Sequence, residues 1–128
     1  MSDAPEGQDA SPGRATLFHL AVRDEWLASA AGDTYAPAAF ASERFIHCSY
    51  RGQLAGVYAR YYAGRTDLVV LEIDRGHLVA LVGAAALRDE LSPTTGELFP
   101  HVYAALPRAA VHATHAARAI GDIGDIGG

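Results

Sequence analysis

The stretch YRGQLAGVYARYYAGRTDLVVLEID, residues 50–74, carries the two clearest secondary-structure signals in the chain. Its first half places apolar side chains at the i, i+3, i+4, i+7 and i+8 spacing of one buried helical stripe, which predicts a helix over about residues 50–63. Residues 68–73 form a strongly apolar run, which predicts a strand. The predicted helical stripe consists of Leu54, Val57, Tyr58, Tyr61 and Tyr62.

Shorter elements flank this stretch on both sides. Periodicity and turn residues predict four further strands, a second helix in the N-terminal half and two turns. Many short strands combined with two early helices indicate an α+β fold. The predicted strands are residues 15–21, 44–48, 102–106 and 109–113, the second helix is residues 23–31, and the turns are residues 74–76 and 92–96.

The length of the chain predicts a single domain. With 128 residues, half of them hydrophobic, it can bury a core without disulfides or structural metal. The N-terminus is polar and contains Pro and Gly, which predicts a disordered tail over residues 1–14. The ending GDIGDIGG predicts a flexible Gly/Asp/Ile tail over residues 119–128. The domain is therefore expected over residues 15–118.

Charge and cysteine content exclude some classes of function. The formal net charge of −5, from 10 basic and 15 acidic residues, argues against broad binding to nucleic acid or to an anionic membrane. Cys48 is the single cysteine, so no internal disulfide can form. No apolar run reaches 18 residues, and the N-terminus does not resemble a secretory signal. We therefore expect a cytoplasmic protein.

Three histidines lie inside short apolar runs that are typical of strands. They are His19 in LFHL, His47 in FIHCS and His101 in LFPHVY. Burying an imidazole is costly unless its nitrogens have partners, so three such residues predict a shared polar site. The alternatives are three separate structural histidines or a three-histidine zinc site, although no HExxH or CxxC spacing supports zinc.

Strand alternation predicts which neighbours share a face with these histidines. His47 and Ser49 would point to one side, and so would His101 and Tyr103. Ser49 is also predicted to cap the following helix, whose free N–H groups could receive a phosphate. Cys48 would point the opposite way from His47, which favours a small core residue over a Cys–His nucleophile.

Two acids flank the turn before His101. Glu90 or Glu97 could accept a ribose hydroxyl or stabilise a developing oxocarbenium ion, and the alternative for each is a solvated loop acid. The common nucleotide-loop and hydrolase signatures GxGxxG, GxxxxGK[ST] and GxSxG are absent from the sequence.

Four runs resemble a small bacterial family known as domain of unknown function 952. The similarity covers about residues 16–113, and FIHCS and FPHVY together are fairly specific. The runs are LFHLAVRDEWLASAAGDTYAP, FIHCS, LVVLEID and GELFPHVYAALPRAAV.

The resemblance implies a fold grouped with the ADP-ribosyltransferases and the tRNA 2′-phosphotransferases. In that group a cleft between two small, mainly antiparallel sheets holds NAD. His19 fits the position on the first strand, and Ser49 or His47 fits the position on the second. Glu90 is the preferred acid on a later strand, and Glu97 is the other choice.

The resemblance also assigns expected roles. His19, Glu90 and His101 would be catalytic, while His47, Ser49 and Tyr103 would bind the cofactor. His101 and Tyr103 belong to the family's own motif rather than to the wider transferase pattern.

The sequence departs from the wider pattern in two places. Asp89 stands where an aromatic residue is expected beside Glu90, and no ExE or QxE acid pair is present. The expected function is an NAD-using ADP-ribosyl or phosphate transferase that binds a small-molecule nucleotide. The alternatives for its acceptor are a protein, a nucleic-acid end and a small molecule. A non-catalytic nucleotide-binding module and a histidine metal site are the alternatives.

Overall fold

The computed structural model describes residues 14–127, so most of the predicted N-terminal tail lies outside the described residues. The described part is an α+β domain with small antiparallel sheets, which confirms that part of the prediction. Its strands are β1 Thr16–Val22, β2 Thr34–Tyr35, β3 Ile46–His47, β4 Leu68–Asp74, β5 Leu87–Leu91, β6 Leu98–Val102, β7 Leu106–Pro107 and β8 Val111–Ala117. Its α-helices are α1 Arg23–Ala28, α2 Phe40–Glu43, α3 Leu54–Val57, α4 Arg75–Val82 and α5 Ile120–Gly127.

The main sheet has the strand order β1–β4–β8, with both neighbours antiparallel to β4. Side chains on both faces of β4 are buried, because one face meets the small sheet and the other meets helices. This position explains why the run of residues 68–73 is apolar on consecutive positions instead of alternating. No helix within residues 14–127 is both long enough and apolar enough to span a membrane.

The small sheet has the order β3–β6–β5, and β2 pairs with β7 in a two-stranded sheet. One isolated bridge joins the small sheet to β1. Phe18 and Ser49 exchange two backbone hydrogen bonds, with N···O distances of 2.7 and 2.8 Å. Cys48 N–H also donates to the Pro100 carbonyl at 3.0 Å, so the chain after β3 stays fastened to β6.

Two apolar clusters hold these layers together. The first fills the space between the main sheet and the small sheet, and its members include Leu17 and Leu71 from one sheet and Ile46, Leu87 and Val102 from the other. The second lies on the opposite face of the main sheet and includes Phe18, Leu54, Tyr58, Val70 and Ile123. Burial of apolar area of this kind is the main favourable contribution to folding.

The helix predicted at residues 50–63 is present but not uniform. It begins with a 3-10 turn at Arg51–Gln53, continues as α3 and ends in a π-helical turn at Tyr58–Tyr62. Leu54 and Tyr58 are buried as predicted, whereas Tyr61 is 61% exposed. A π turn takes more residues than an α turn, so it rotates the end of the stripe and turns Tyr61 to solvent.

The predicted turn at residues 74–76 was wrong. Asp74 ends β4 and caps α4, and its Oδ2 accepts a hydrogen bond from the His77 N–H at 2.8 Å. A carboxylate that accepts from the first turn of a helix stabilises helix initiation, so the chain turns directly into α4. The strand predicted at residues 44–48 is shorter than expected, because Arg44 adopts a left-handed conformation with φ of 72° and β3 begins only at Ile46.

The C-terminal segment, predicted as a flexible tail over residues 119–128, forms helix α5. Ile123 and Ile126, three residues apart, are buried in the second apolar cluster. That spacing places both side chains on one helical face. Burial of this face outweighs the low helix propensity of the three glycines.

Candidate functional site

The small sheet has one apolar face and one polar face. Ile46 and Val102 point into the first apolar cluster, so alternation along the strands turns their neighbours His47 and His101 away from it. His47 and His101 lie directly opposite each other in the antiparallel register. We use the name outer-face cluster for Phe45, His47, Glu90, His101 and Tyr103.

Glu90 on β5 links two members of the outer-face cluster. Its Oε1 accepts a hydrogen bond from Nδ1 of His101 at 2.7 Å and another from the Tyr103 hydroxyl at 2.6 Å. The Tyr103 bond and then the His101 bond lower the pKa of the Glu90 carboxyl, and the same carboxylate raises the pKa of the Tyr103 hydroxyl. Glu90 is therefore ionised at neutral pH.

The proton of neutral His101 is assigned to Nδ1, because a carboxylate can only accept a hydrogen bond. Within residues 14–127, Nε2 of His101 has no hydrogen-bond partner. The His101 side chain is 15% exposed and that of Glu90 35%. The pair thus combines an oriented imidazole with a carboxylate that a ligand can reach.

His47 is oriented by a second carboxylate. Its Nε2 lies 3.1 Å from Oε1 of Glu43 on α2, and both side chains are well exposed. The rings of His47 and His101 lie edge to face, with their centroids 5.1 Å apart. Two imidazoles, each with its own carboxylate, therefore lie next to each other at the surface.

Phe45 connects the aromatic members of the cluster. Its ring stacks on His101 with a centroid distance of 4.3 Å, and it lies 4.7 Å from the His47 ring and 5.1 Å from the Tyr103 ring. The Arg88 guanidinium lies 4.6 Å from the centroid of Tyr103. The surface therefore offers flat rings, ionisable groups and one permanent cation within a small area.

His19 is not part of the outer-face cluster. Its side chain is 6% exposed, and Nδ1 lies 2.6 Å from the His47 carbonyl oxygen while Nε2 lies 2.9 Å from the Tyr35 hydroxyl. Because a carbonyl only accepts, Nδ1 carries the proton and Nε2 accepts from Tyr35. Burial lowers the pKa of His19 to about 4, so the ring is neutral at neutral pH. Its Nδ1–H bond to the carbonyl of His47 holds that backbone group in place from the interior side of the sheet.

Ser49 is also separate from the outer-face cluster. It is 4% exposed, and its backbone forms the bridge to Phe18. The predicted capping role was wrong, since the helix starts at Arg51 and the Tyr50 N–H donates to Oε1 of Gln53 at 3.0 Å. A residue that is paired as a strand on both N–H and C=O cannot also start the helix.

The structure distinguishes the two candidate acids. Glu90 contacts His101 and Tyr103, whereas Oε1 of Glu97 accepts from Nε2 of Gln53 at 3.2 Å at the surface. The turn between the two acids, residues 92–96, is closed by Gly96 N–H donating to the Ser92 carbonyl at 2.8 Å. Glu90 is therefore the acid that belongs to the outer-face cluster.

Residues 20–114 match the model of the family described as "Protein of unknown function (DUF952)". The chain belongs to the DUF952 family. A crystal structure of protein CC0527 from Caulobacter crescentus is 26% identical, with a TM-score of 0.69 over 79% of this chain and 84% of that chain. The solution NMR structure of CC0527 is 28% identical, with a TM-score of 0.64 over 78% of this chain and 82% of that chain. No curated protein matches the sequence.

Both short motifs that carry the DUF952 resemblance contribute to the outer-face cluster. FIHCS supplies Phe45 and His47, and FPHVY supplies His101 and Tyr103. The cluster therefore coincides with the most specific parts of the resemblance.

A second polar cluster lies on the opposite face of β5 in this DUF952 domain. Oδ1 of Asp89 accepts from the Tyr50 hydroxyl at 2.5 Å, and Oδ2 lies 3.0 Å from Arg14 and 3.7 Å from Arg75. Arg75 is 3% exposed and also donates to the Tyr50 hydroxyl at 2.9 Å. Since a buried charge requires partners, Asp89 serves this network instead of the aromatic role expected at its position.

The described residues contain no group of three or more His, Cys, Asp or Glu side chains arranged to hold a metal ion. For His19, His47 and His101 the reason is plain, because both nitrogens of His19 are occupied by Tyr35 and by the His47 carbonyl. A zinc site built from these three rings would require one of these two bonds to break, since each ring supplies one nitrogen to the ion.

Sequence reasoning missed three residues at this surface. Phe45 lies two positions before His47 and should share its side of the strand, so alternation was a sufficient signal. Arg88 lies two positions before Glu90, and the same rule applies to it. Glu43 lies outside the elements predicted from the sequence, and nothing in the sequence showed that α2 would bring it to His47.

Proposed function

We propose that the outer-face cluster of this DUF952 protein binds an NAD-type nucleotide and that the protein is a transferase for its ADP-ribosyl or phosphate group. The observation that carries the proposal is the placement of Glu90. Its carboxylate lies at the surface between an oriented imidazole and a phenol, with hydrogen bonds of 2.7 and 2.6 Å.

Glu90 is suited to stabilise a cationic transition state. Breaking the bond between nicotinamide and ribose builds positive charge on the sugar, and a preorganised carboxylate lowers the energy of that state. The lowered pKa of Glu90 keeps the side chain charged at neutral pH. Both described bonds use Oε1, and within residues 14–127 Oε2 has no partner that would keep it from the sugar.

His101 and Tyr103 are positioning residues in this proposal, and His101 can also move a proton. Glu90 holds Nδ1 of His101, so Nε2 is the nitrogen that would exchange a proton with the acceptor group. A hydrogen-bonded carboxylate behind an imidazole orients the ring and stabilises its protonated form, as in other acid–base pairs.

Phe45, His47 and Arg88 supply recognition. The rings of Phe45 and His47 offer flat surfaces on which a nicotinamide or adenine ring can stack. The guanidinium of Arg88 is a permanent cation that can pair with a diphosphate. The proposed ligand therefore meets an aromatic surface, a cation and a carboxylate in one small area.

The proposed likeness to the ADP-ribosyltransferase fold is the pair of small antiparallel sheets, between which that fold group holds NAD. The space between the main and small sheets is filled by the first apolar cluster. We therefore assign the nucleotide to the outer face of β3, β5 and β6 instead of to a cleft between the sheets.

A matched pair of variants tests the proposal. Isothermal titration with NAD at millimolar concentration measures binding, and chromatographic detection of nicotinamide measures bond cleavage. We expect the wild type and Glu97→Gln to bind and cleave alike, since Glu97 is an exposed acid outside the cluster. Glu90→Gln should retain most of the affinity and lose nicotinamide release. Absence of both NAD binding and nicotinamide release in the wild type would refute the function.

One observation favours a second candidate, a nucleotide-binding module without catalysis. In an ExE or QxE pair, the residue two positions before the second acid is an acid or an amide. In this sequence the residue two positions before Glu90, on the same face of the strand, is Arg88. This candidate predicts NAD binding without nicotinamide release in the wild type, and equal affinity in Glu90→Gln. The same titrations separate it from the transferase.

A further inference from the structure

Two histidines outside the outer-face cluster, the half-buried His77 and the exposed His112, face each other on the main-sheet side of the domain. Nδ1 of His77, in the first turn of α4, lies 3.2 Å from Nε2 of His112 on β8. The ring centroids are 5.5 Å apart and the planes are inclined by 60°. Neither residue takes part in the function proposed above.

This pair differs from the other four histidines of the chain. His47, His101 and His115 each have a carboxylate partner, and His19 binds a hydroxyl and a carbonyl. Between His77 and His112, nitrogen faces nitrogen. Two N–H groups that faced each other at this distance would repel, so at most one of the two nitrogens carries a proton. The other nitrogen therefore directs its lone pair at the partner ring.

The separation of the two nitrogens matches that of ligands on one metal ion. Zinc–nitrogen bonds of about 2.0 to 2.1 Å at a tetrahedral angle place two ligand atoms about 3.3 Å apart. We propose that Nδ1 of His77 and Nε2 of His112 together bind one late first-row transition metal ion of the Zn²⁺ or Cu²⁺ class.

The backbone holds both residues in place for this role. Ile73 at the end of β4 pairs with Val111 at the start of β8, which brings the first turn of α4 beside His112. Asp74 fixes the backbone of His77 through the 2.8 Å bond to its N–H. At the pairing irregularity between Glu72 and Ile73 their partners Ala113 and Val111 are two positions apart, so His112 is the extra residue of β8 there.

The ligand set determines the class of ion. Imidazole nitrogens favour Cu²⁺, Ni²⁺ and Zn²⁺, whereas Mg²⁺ and Ca²⁺ prefer oxygen ligands. With two protein ligands among the described residues, the remaining coordination positions are left to water or to an exogenous ligand. Binding of the ion would join α4 to β8 in the folded state only, so it should stabilise the fold.

The test uses Cu²⁺ as the probe, because the divalent series binds imidazole sites most strongly at copper. Calorimetric titration should find one tight site per chain in the wild type. Affinity should fall at least ten-fold in His77→Asn and in His112→Asn. His115→Asn is the matched control, since this residue lies on the same strand and pairs with Glu72; its affinity should equal that of the wild type. Mg²⁺ should not bind.

Two further measurements keep the result independent of folding defects. Electron paramagnetic resonance of the Cu²⁺ complex should show two nitrogen donors in the wild type. Copper should raise the unfolding temperature of the wild type but not of His77→Asn, whose metal-free unfolding temperature should match that of the wild type. Equal Cu²⁺ affinity in the wild type and both pair variants, or one ion per two chains, would overturn the proposal.

Discussion

Two neighbouring carboxylates on β5 have opposite environments because side chains alternate along a strand. Asp89 faces the interior, where it neutralises buried Arg75 and binds Tyr50. Glu90 faces outward and binds His101 and Tyr103. A shift of one residue in the register of β5 would exchange these roles, so the Asp89 network also fixes which acid reaches the surface.

His19 should make the stability of the protein depend on pH. Its pKa is 6.5 when unfolded and about 4 when folded, so above pH 6.5 the ring is neutral in both states. Below pH 6.5 the unfolded chain binds a proton that the folded chain does not, and stability falls until about pH 4. The shift corresponds to a loss of about 3 kcal/mol in the free energy of unfolding.

The measurement is urea unfolding from pH 7 to pH 4 in the wild type and two variants. His19→Asn removes the buried imidazole and should flatten this part of the profile, although it lowers stability at pH 7 by about 1 to 3 kcal/mol through the lost Tyr35 bond. Thr114→Asn, at an exposed position without an ionisable group, should keep the wild-type slope. Parallel profiles for all three proteins would contradict the assignment.

Cys48 should be unreactive in the folded protein. The thiol is 3% exposed, and burial raises its pKa to about 12, so almost no thiolate exists at pH 8. We expect no alkylation by iodoacetamide at pH 8 and full alkylation in guanidinium chloride, as measured by mass spectrometry. Rapid labelling of the native chain would show that the thiol is accessible.

At the scale of elements, α5 shows how packing overrides local propensity. The segment contains several glycines, which favour flexibility, but Ile123 and Ile126 cover the second apolar cluster beside α3. A hydrogen bond from the Arg51 side chain to the Ile126 carbonyl also holds the end of the helix. Its start is fastened by Asp122, whose Oδ2 accepts from the Arg118 N–H at 2.8 Å.

A pair of neighbouring substitutions tests the contribution of α5. Ile123 is fully buried, so Ile123→Ala should lower the free energy of unfolding by about 2 to 4 kcal/mol through lost burial and a cavity. Gly124 is exposed with open space around its Cα, so Gly124→Ala should be neutral or stabilise the protein by up to about 1 kcal/mol. Urea unfolding of both variants checks this, and equal stability of Ile123→Ala and the wild type would mean that α5 does not pack in solution.

At the scale of the whole molecule, sequence patterns predicted the strands and helices whose side-chain spacing is set by nearby residues. The strand at residues 68–73 and the helix from residue 51 were recognisable because burial imposes a period on neighbouring side chains. The mixture of α and β elements followed from the same patterns. Glu90, the acid preferred from the resemblance, contacts His101 across the small sheet.

Such patterns could not predict which strands distant in the sequence pair or pack against each other. The sequence does not distinguish His19, His47 and His101, because each lies in a short apolar run. Only the packing of the small sheet against β1 decides that His19 lies beneath the sheet while the other two lie on its surface. Likewise Ser49 resembles a helix cap until its bridge to Phe18 is known.

The bond from Nδ1–H of His19 to the His47 carbonyl places a protected proton directly beneath the proposed ligand surface. Since the ring is shielded from solvent, this imidazole N–H should exchange slowly and give its own downfield proton resonance. A molecule that settles on His47 from above would alter the strength of that bond. The domain thus contains an internal spectroscopic reporter of occupancy that requires no label.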